Sequence, residues 1–183
     1  MSDEMEDSLV SRNEEQIEGK SLKEAEVTAQ DLIDLKPQEA IAWFVKAKTL
    51  YVEGDYDNAL SCLSQAARID REAPQVWHLM GLTLLALGRI DEAVEALAYA
   101  AEKMPANPDA ALALGIALAL AGKKDDAKAR IEQAFKIDAQ KASALAADFA
   151  ENFISSSPKV ESSTKALIER IIETRRVKAI NGY

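Results

Sequence analysis

The sequence holds one cysteine, Cys62, in 183 residues. A lone thiol excludes an intramolecular disulfide, a cysteine zinc cluster and CxxC redox chemistry. On a helical apolar face it reads as a small hydrophobe. Glycine and proline together number only twelve, against disorder or collagen. Aromatic residues make up 5% and β-branched residues are scarce, which argues against a sheet-built fold. There is one histidine, His78, with no second histidine or cysteine at helical ligand spacing, so no metal is expected. The chain has no phosphate loop, no GxSxG and no HExxH, so neither an enzyme nor a cofactor is expected. The start, MSDEMEDSLV, lacks the basic and apolar regions of a signal peptide. The most apolar stretch, 110–121, is too short to span a bilayer. A cytoplasmic protein without direct membrane insertion is therefore expected. The net charge of −9 disfavours a nucleic-acid partner, which calls for a basic footprint.

What is abundant is alanine, and it recurs with a period. Gly54, Gly88 and Gly122 stand at equal intervals. The same step links Ala59, Ala93 and Ala127; Ala66, Ala100 and Ala134; Ala47, Gly81 and Gly115; and Leu63, Leu97 and Ile131. Self-similarity at this period marks stacked supersecondary units. The blocks are 40–73, 74–107 and 108–141, each reading as two antiparallel helices. The first helix starts near Ala40, Pro74 or Pro108 and ends before the glycine. The second starts near Asp57, Asp91 or Asp125 and ends near Asp70, Met104 or Asp138. A glycine closing the first helix suits a left-handed turn. Pro74 and Pro108 suit a first helical turn, where no N–H is needed. Carboxylates in DYDNA and RIDEA read as helix caps or dipole partners. Small residues at fixed columns allow close helix crossing while the leucines fill the space between hairpins.

These columns resemble the tetratricopeptide repeat family. Trp43, Ala47, Gly54, Tyr56, Ala59 and Ala66 carry its pattern in the first block. Trp77, Gly81, Leu84, Gly88, Ala93, Leu97, Ala100 and Pro105 carry it in the second, and Leu114, Gly115, Leu118, Gly122, Ala127, Ile131 and Ala134 in the third. The third departs at Ala111 and Ala139, where tryptophan and proline would stand. The resemblance implies an all-α fold, a right-handed α-α superhelix forming a short solenoid over 6–154. It comprises a weak repeat at 6–39, the three repeats, and a capping helix at 142–154. In the weak repeat Ala25 and Ala29 hold the register, while the partner helix Leu9 to Glu18 is polar. Trp43 and Trp77 read as core anchors.

The family lines its concave surface with the first helix of each hairpin. Carried over, the groove comprises Phe44, Lys48, Tyr51, His78, Leu79, Leu82, Leu85, Leu112, Ile116 and Leu120. A family subclass clamps acidic chaperone tails with lysine, arginine and asparagine on this surface; here only Lys48 keeps that character. Apolar anchors at i, i+3 and i+4 suit a partner helix better. The expected function is thus a non-enzymatic protein–protein interaction module, an adaptor or chaperone-like scaffold. It would hold an apolar helix or extended segment of a protein or peptide partner.

A last amphipathic helix is expected over 159–180, with Val160, Leu167, Ile168, Ile171 and Ile172 on one face. Residues 155–183 hold six bases and three acids, net +3; residues 1–39 hold twelve acids and four bases, net −8. Such ends attract. The alternative function is self-association, with 155–183 of one chain packing on or in a neighbouring solenoid. The third is that this helix fills its own groove.

Overall fold

A computed structural model describes residues 2–149. Among them are nine helices and no strand. They are α1 (Ser2–Glu18), α2 (Leu22–Leu35), α3 (Ala40–Glu53), α4 (Tyr56–Ile69), α5 (Pro74–Ala86), α6 (Ile90–Lys103), α7 (Pro108–Leu120), α8 (Lys124–Ile137) and α9 (Ala139–Phe149). The all-α expectation holds. The helix expected over 159–180 and the end of the capping helix, 150–154, lie outside the described residues.

The chain divides into two compact units, residues 1–83 and 84–183, with the division inside α5. In the first unit α1 packs on α2, α3 on α4, and α3 also on α2 and α1. Its core includes Ala29, Leu32, Ile33, Ala42 and Val45, with Leu9, Val10, Ile41 and Trp43 against them. In the second unit α7 packs on α6, α8 and α9, and α8 on α9. Its core is mostly alanine and leucine: Ala93, Leu97 and Ala100 on α6, Ala127, Ile131 and Ala134 on α8, and Ala142 and Ala146 on α9.

One turn chemistry recurs with every repeat. Gly54, Gly88 and Gly122 adopt φ of 84°, 74° and 79°. In each turn the glycine N–H donates three residues back, and the next N–H donates five residues back. Thus Asp55 bonds Leu50, Arg89 bonds Leu84 and Lys123 bonds Leu118, all at 2.9 Å. This satisfies carbonyls left open by the helix end. The pattern occurs a fourth time, at Lys20, with φ 60° and Ser21 N–H donating to Gln16 at 2.8 Å. Lys20 lies one repeat before Gly54, so a lysine occupies the left-handed position of the N-terminal hairpin.

Helix starts differ from expectation in detail. The second helices begin at Tyr56, Ile90 and Lys124, one residue earlier than the aspartates. Asp55 caps α4, accepting from the Asn58 N–H at 3.4 Å, while Asp57 and Asp91 fall in first turns, where negative charge favours the dipole. Asn107 caps α7, accepting from Asp109 N–H at 2.9 Å and Ala110 N–H at 3.4 Å, with Pro108 in the first turn. Helix α1 starts at Ser2, well before the expected Leu9. Its polar surface concealed it, because helical apolar periodicity is weak there.

Both tryptophans tie down the loop before their helix. Trp43 Nε1 donates to the Pro37 carbonyl at 2.9 Å, and Trp77 Nε1 to the Arg71 carbonyl at 2.8 Å. Both are half-buried, and Trp43 packs against the core of the first unit. The indole N–H explains this, since it keeps one edge of the ring at a polar boundary.

Candidate functional site

In the first unit the groove positions are Phe44, Lys48 and Tyr51 on α3 and His78, Leu79 and Leu82 on α5. Phe44, Lys48, Tyr51, His78 and Leu82 are half-buried. Leu79 is only 9% exposed, so it is not solvent-facing as the register suggests; it packs as core. Tyr51 meets Tyr56 edge-on, ring centroids 5.5 Å apart, which orders the end of α3 against the start of α4. Lys48 Nζ lies 3.0 Å from Glu14 Oε1 of α1, an ion pair linking equivalent positions of successive repeats. Lys36 reaches Glu6 at 2.7 Å in a less exposed pair.

Beneath these lies a polar connection that sequence reasoning missed. Asn13, fully buried, donates to the Ala25 carbonyl at 2.7 Å and to Thr49 Oγ1 at 3.1 Å. Thr49 donates in turn to the Val45 carbonyl at 3.1 Å. Buried polar groups need such partners, and these pin α1 to α2 and α3. Thr28, 3% exposed, donates to Gln16 at 2.8 Å and adds a second pin. The signal was a lone polar residue in the small-residue column: Asn13 lies one repeat before Ala47.

In the second unit the groove positions are Leu85, Leu112, Ile116 and Leu120. Leu85, Leu112 and Ile116 are 2%, 1% and 0% exposed, so these three are corrected from solvent-facing to buried; Leu120 is half-buried. Every residue of α7 from Ala110 to Ala119 is buried. The physical reason is a helix apolar on all its faces, which is stable only when covered all round.

The second unit also holds an open cleft of about 460 Å³ lined by Ala98 of α6, Leu114 and Leu118 of α7, and Asp126, Ala129, Arg130 and Gln133 of α8. In the first unit the residue two repeats before Leu114 is Lys46. Its ammonium reaches Gln30 at 3.1 Å and Glu26 at 3.8 Å on α2. Glu53 nearby has its carboxyl pushed up by burial and by Glu26 and Asp55, with Lys46 opposing. Burial also pushes up the Cys62 thiol. In the second unit, the Arg89 hydrogen bond holds the exposed Glu92 carboxyl below its ordinary value.

Among the described residues no group of three or more histidine, cysteine or acidic side chains could hold a metal ion. No helix among them is long and apolar enough to cross a membrane.

Two sequence-family profiles match in succession. One, described as "Anaphase-promoting complex, cyclosome, subunit 3", matches residues 18–100; the other, "Tetratricopeptide repeat", matches 84–148. No curated protein sequence matches. Solved structures resemble the chain in fold. TTC0263, a thermophilic TPR protein of Thermus thermophilus, is 18% identical with a TM-score of 0.69, covering 96% of this chain and 97% of that one. YrrB, "a TPR protein with an unusual peptide-binding site", is 16% identical with a TM-score of 0.64, covering 95% and 89%. The first TPR of Spaghetti (RPAP3), bound to the HSP90 peptide SRMEEVD, is 18% identical with a TM-score of 0.57, covering 61% and 88%.

Proposed function

This chain belongs to the tetratricopeptide-repeat family, and we propose that it is a non-enzymatic adaptor holding an apolar helix or extended segment of a protein partner against its first helices. Family members are protein–protein interaction modules, and fold-neighbours include peptide-binding domains. The observation that carries the reading is the half-exposed set Phe44, Lys48, Tyr51, His78 and Leu82 on α3 and α5. Aromatic and leucine anchors with partial exposure suit an amphipathic helix laid into a groove. An acidic chaperone tail, as in the Spaghetti complex, suits it less. The one cation of the set, Lys48, is paired with Glu14 at 3.0 Å, and in the sequence of α5 His78 is followed by Leu79 and Leu82.

The test uses the full chain as bait in a native lysate, beside Leu82→Asp. A lost anchor should lower recovery of the specific partner about tenfold, the ratio that about 1.4 kcal/mol gives, with helicity unchanged. Equal recovery of every partner by both proteins would overturn the groove assignment.

A further inference from the structure

We propose that the partner segment is cationic: an amphipathic stretch whose lysines or arginines flank its apolar anchors and meet an acidic border that α1 gives the groove. The inference deepens the adaptor reading and rests on it.

Charge is divided unequally between the two units. Residues 1–83 hold 17 acids and eight bases, whereas residues 84–183 hold 14 of each. The whole net charge of −9 therefore belongs to the unit that carries the half-exposed set on α3 and α5. An apolar surface inside a field of one sign gathers ligands of the other sign.

Within that unit the repeat register brings acids to the groove. Asp7, Glu14 and Glu18 on α1 stand one repeat before Ile41, Lys48 and Val52 on α3. The ion pair of Lys48 with Glu14, at 3.0 Å, joins equivalent positions and so fixes that alignment in space. Val10 and Ile17, one repeat before Phe44 and Tyr51, are half-buried as those two are, and they extend the apolar strip. Val52, 47% exposed, lengthens it at the end of α3. Asp7, Glu14 and Glu18 are exposed along its border. Glu14 answers Lys48, which leaves Asp7 and Glu18 as excess negative charge.

The placement of these acids is not one that the fold favours. Glu15 and Glu18 stand in the last turn of α1, with no basic residue there. Negative charge at a helix C-terminus opposes the dipole, whereas Asp57 and Asp91 sit in first turns, where it is favourable. A carboxylate that weakens its own helix is one that a partner's cation offsets. Such exposed pairs add little singly, but at the rim of an interface they set encounter rate and choice of partner.

The experiment is fluorescence anisotropy of the full-length protein with labelled synthetic amphipathic peptides. The peptides share one leucine face and carry either lysine or glutamate beside it. The lysine peptide should bind about tenfold or more tighter at low salt, and the ratio should shrink as added salt shortens the Debye length. Glu14→Gln/Glu18→Gln should weaken the lysine peptide about fivefold and leave the glutamate peptide no weaker. Glu18→Gln alone relieves the helix dipole, so the fold is kept, and it should weaken the lysine peptide about twofold. Glu24→Gln/Asp31→Asn makes the same change of charge on second helix α2 and should leave the lysine peptide within about a factor of two of wild type. Equal affinity for the two peptides, both weakened by Leu82→Asp, would overturn the charge preference alone. Equal losses in the α1 and α2 double variants would also overturn it, since net charge and not this border would then attract the peptide. Absence of binding by either peptide, or binding indifferent to Leu82→Asp, would instead overturn the groove reading beneath it. A dimer in sedimentation that Leu82→Asp disperses would make the occupant a second copy and overturn the proposal.

Discussion

Two ends of the repeat array meet one packing problem with opposite residues. In the second unit Gly115 lies so close to α8 that an added Cβ would stand 2.7 Å from Ile131 Cγ1 and 3.2 Å from the Ala127 carbonyl. In the first unit, three repeats earlier, the same position is Asn13, whose amide donates to the Ala25 carbonyl, the register equivalent of Ala127, at 2.7 Å. Ala29 stands there where Ile131 stands later. Small against large has become large against small. The exchange teaches that the repeat keeps filled volume between its helices rather than any one residue. It also substitutes a hydrogen bond for a dispersion contact. Among the described residues, the buried polar side chains Asn13, Thr28, Thr49 and Thr83 all lie in residues 1–83.

Moving one solution into the other unit should break the comparison hardest. Gly115→Asn overpacks α7 against α8 and should cost about 3 kcal/mol in denaturant unfolding. Combined with Ile131→Ala, itself worth about 3 kcal/mol, it should cost at least about 1 kcal/mol less than the sum, because the methylenes removed make the room. Strict additivity would count against the volume exchange.

Next in size, Asn13→Leu keeps the volume and removes the donor. It should destabilise by about 1 kcal/mol, since the Ala25 carbonyl keeps only its helical partner and Thr49 loses a donor. Chemical denaturation compared with Thr49→Val, which removes the Asn13–Thr49 bond at nearly constant volume, separates the hydrogen bonds from shape.

The turns offer a smaller and opposite-signed pair. Lys20 holds a side chain at φ 60°, where glycine sits in the later hairpins. Lys20→Gly should stabilise by about 0.5–1 kcal/mol, the strain relieved less the added unfolded-state entropy. Gly122→Ala, with open space around its Cβ but φ 79°, should destabilise by about 1 kcal/mol through the backbone alone. Thermal melting of both checks the sign reversal.

The smallest effect concerns Cys62 of the first unit, whose thiol is pushed up chiefly by burial. A raised pKa lowers the thiolate fraction near neutrality, so alkylation should run a few-fold slower than for a free thiol at mildly alkaline pH. The rate should keep rising at pH values where a free thiol has levelled off. A rate profile matching free cysteine would contradict the burial.

Much of this was legible in the sequence, and the remainder was hidden for physical reasons. Glycine columns announce turns because only glycine reaches positive φ without strain, so α3 to α8 could be placed within a residue or two. The N-terminal hairpin was blurred because Lys20 tolerates the strain and Asn13 with Ala29 inverts the size pattern that signals a repeat. Register told which positions of α3, α5 and α7 share a side, but not how deeply each is buried. Leu79, Leu85, Leu112 and Ile116 were thus read as exposed when they are buried. Lys48 looked like a free groove cation because its partner Glu14 lies on a helix with little apolar periodicity.

The proposed adaptor role rests on the difference between α3 and α7, a half-exposed side on one helix and a buried side on the other. Thiol labelling of two matched positions measures it directly. In a Cys62→Ala background, Phe44→Cys and Leu112→Cys place the same probe at the same repeat position, two repeats apart. The Phe44 position should label about 100-fold faster, because modification of a buried thiol waits for opening of the structure. Equal rates would mean that α3 and α7 present the same face, and would contradict both the half-exposed site and its buried counterpart.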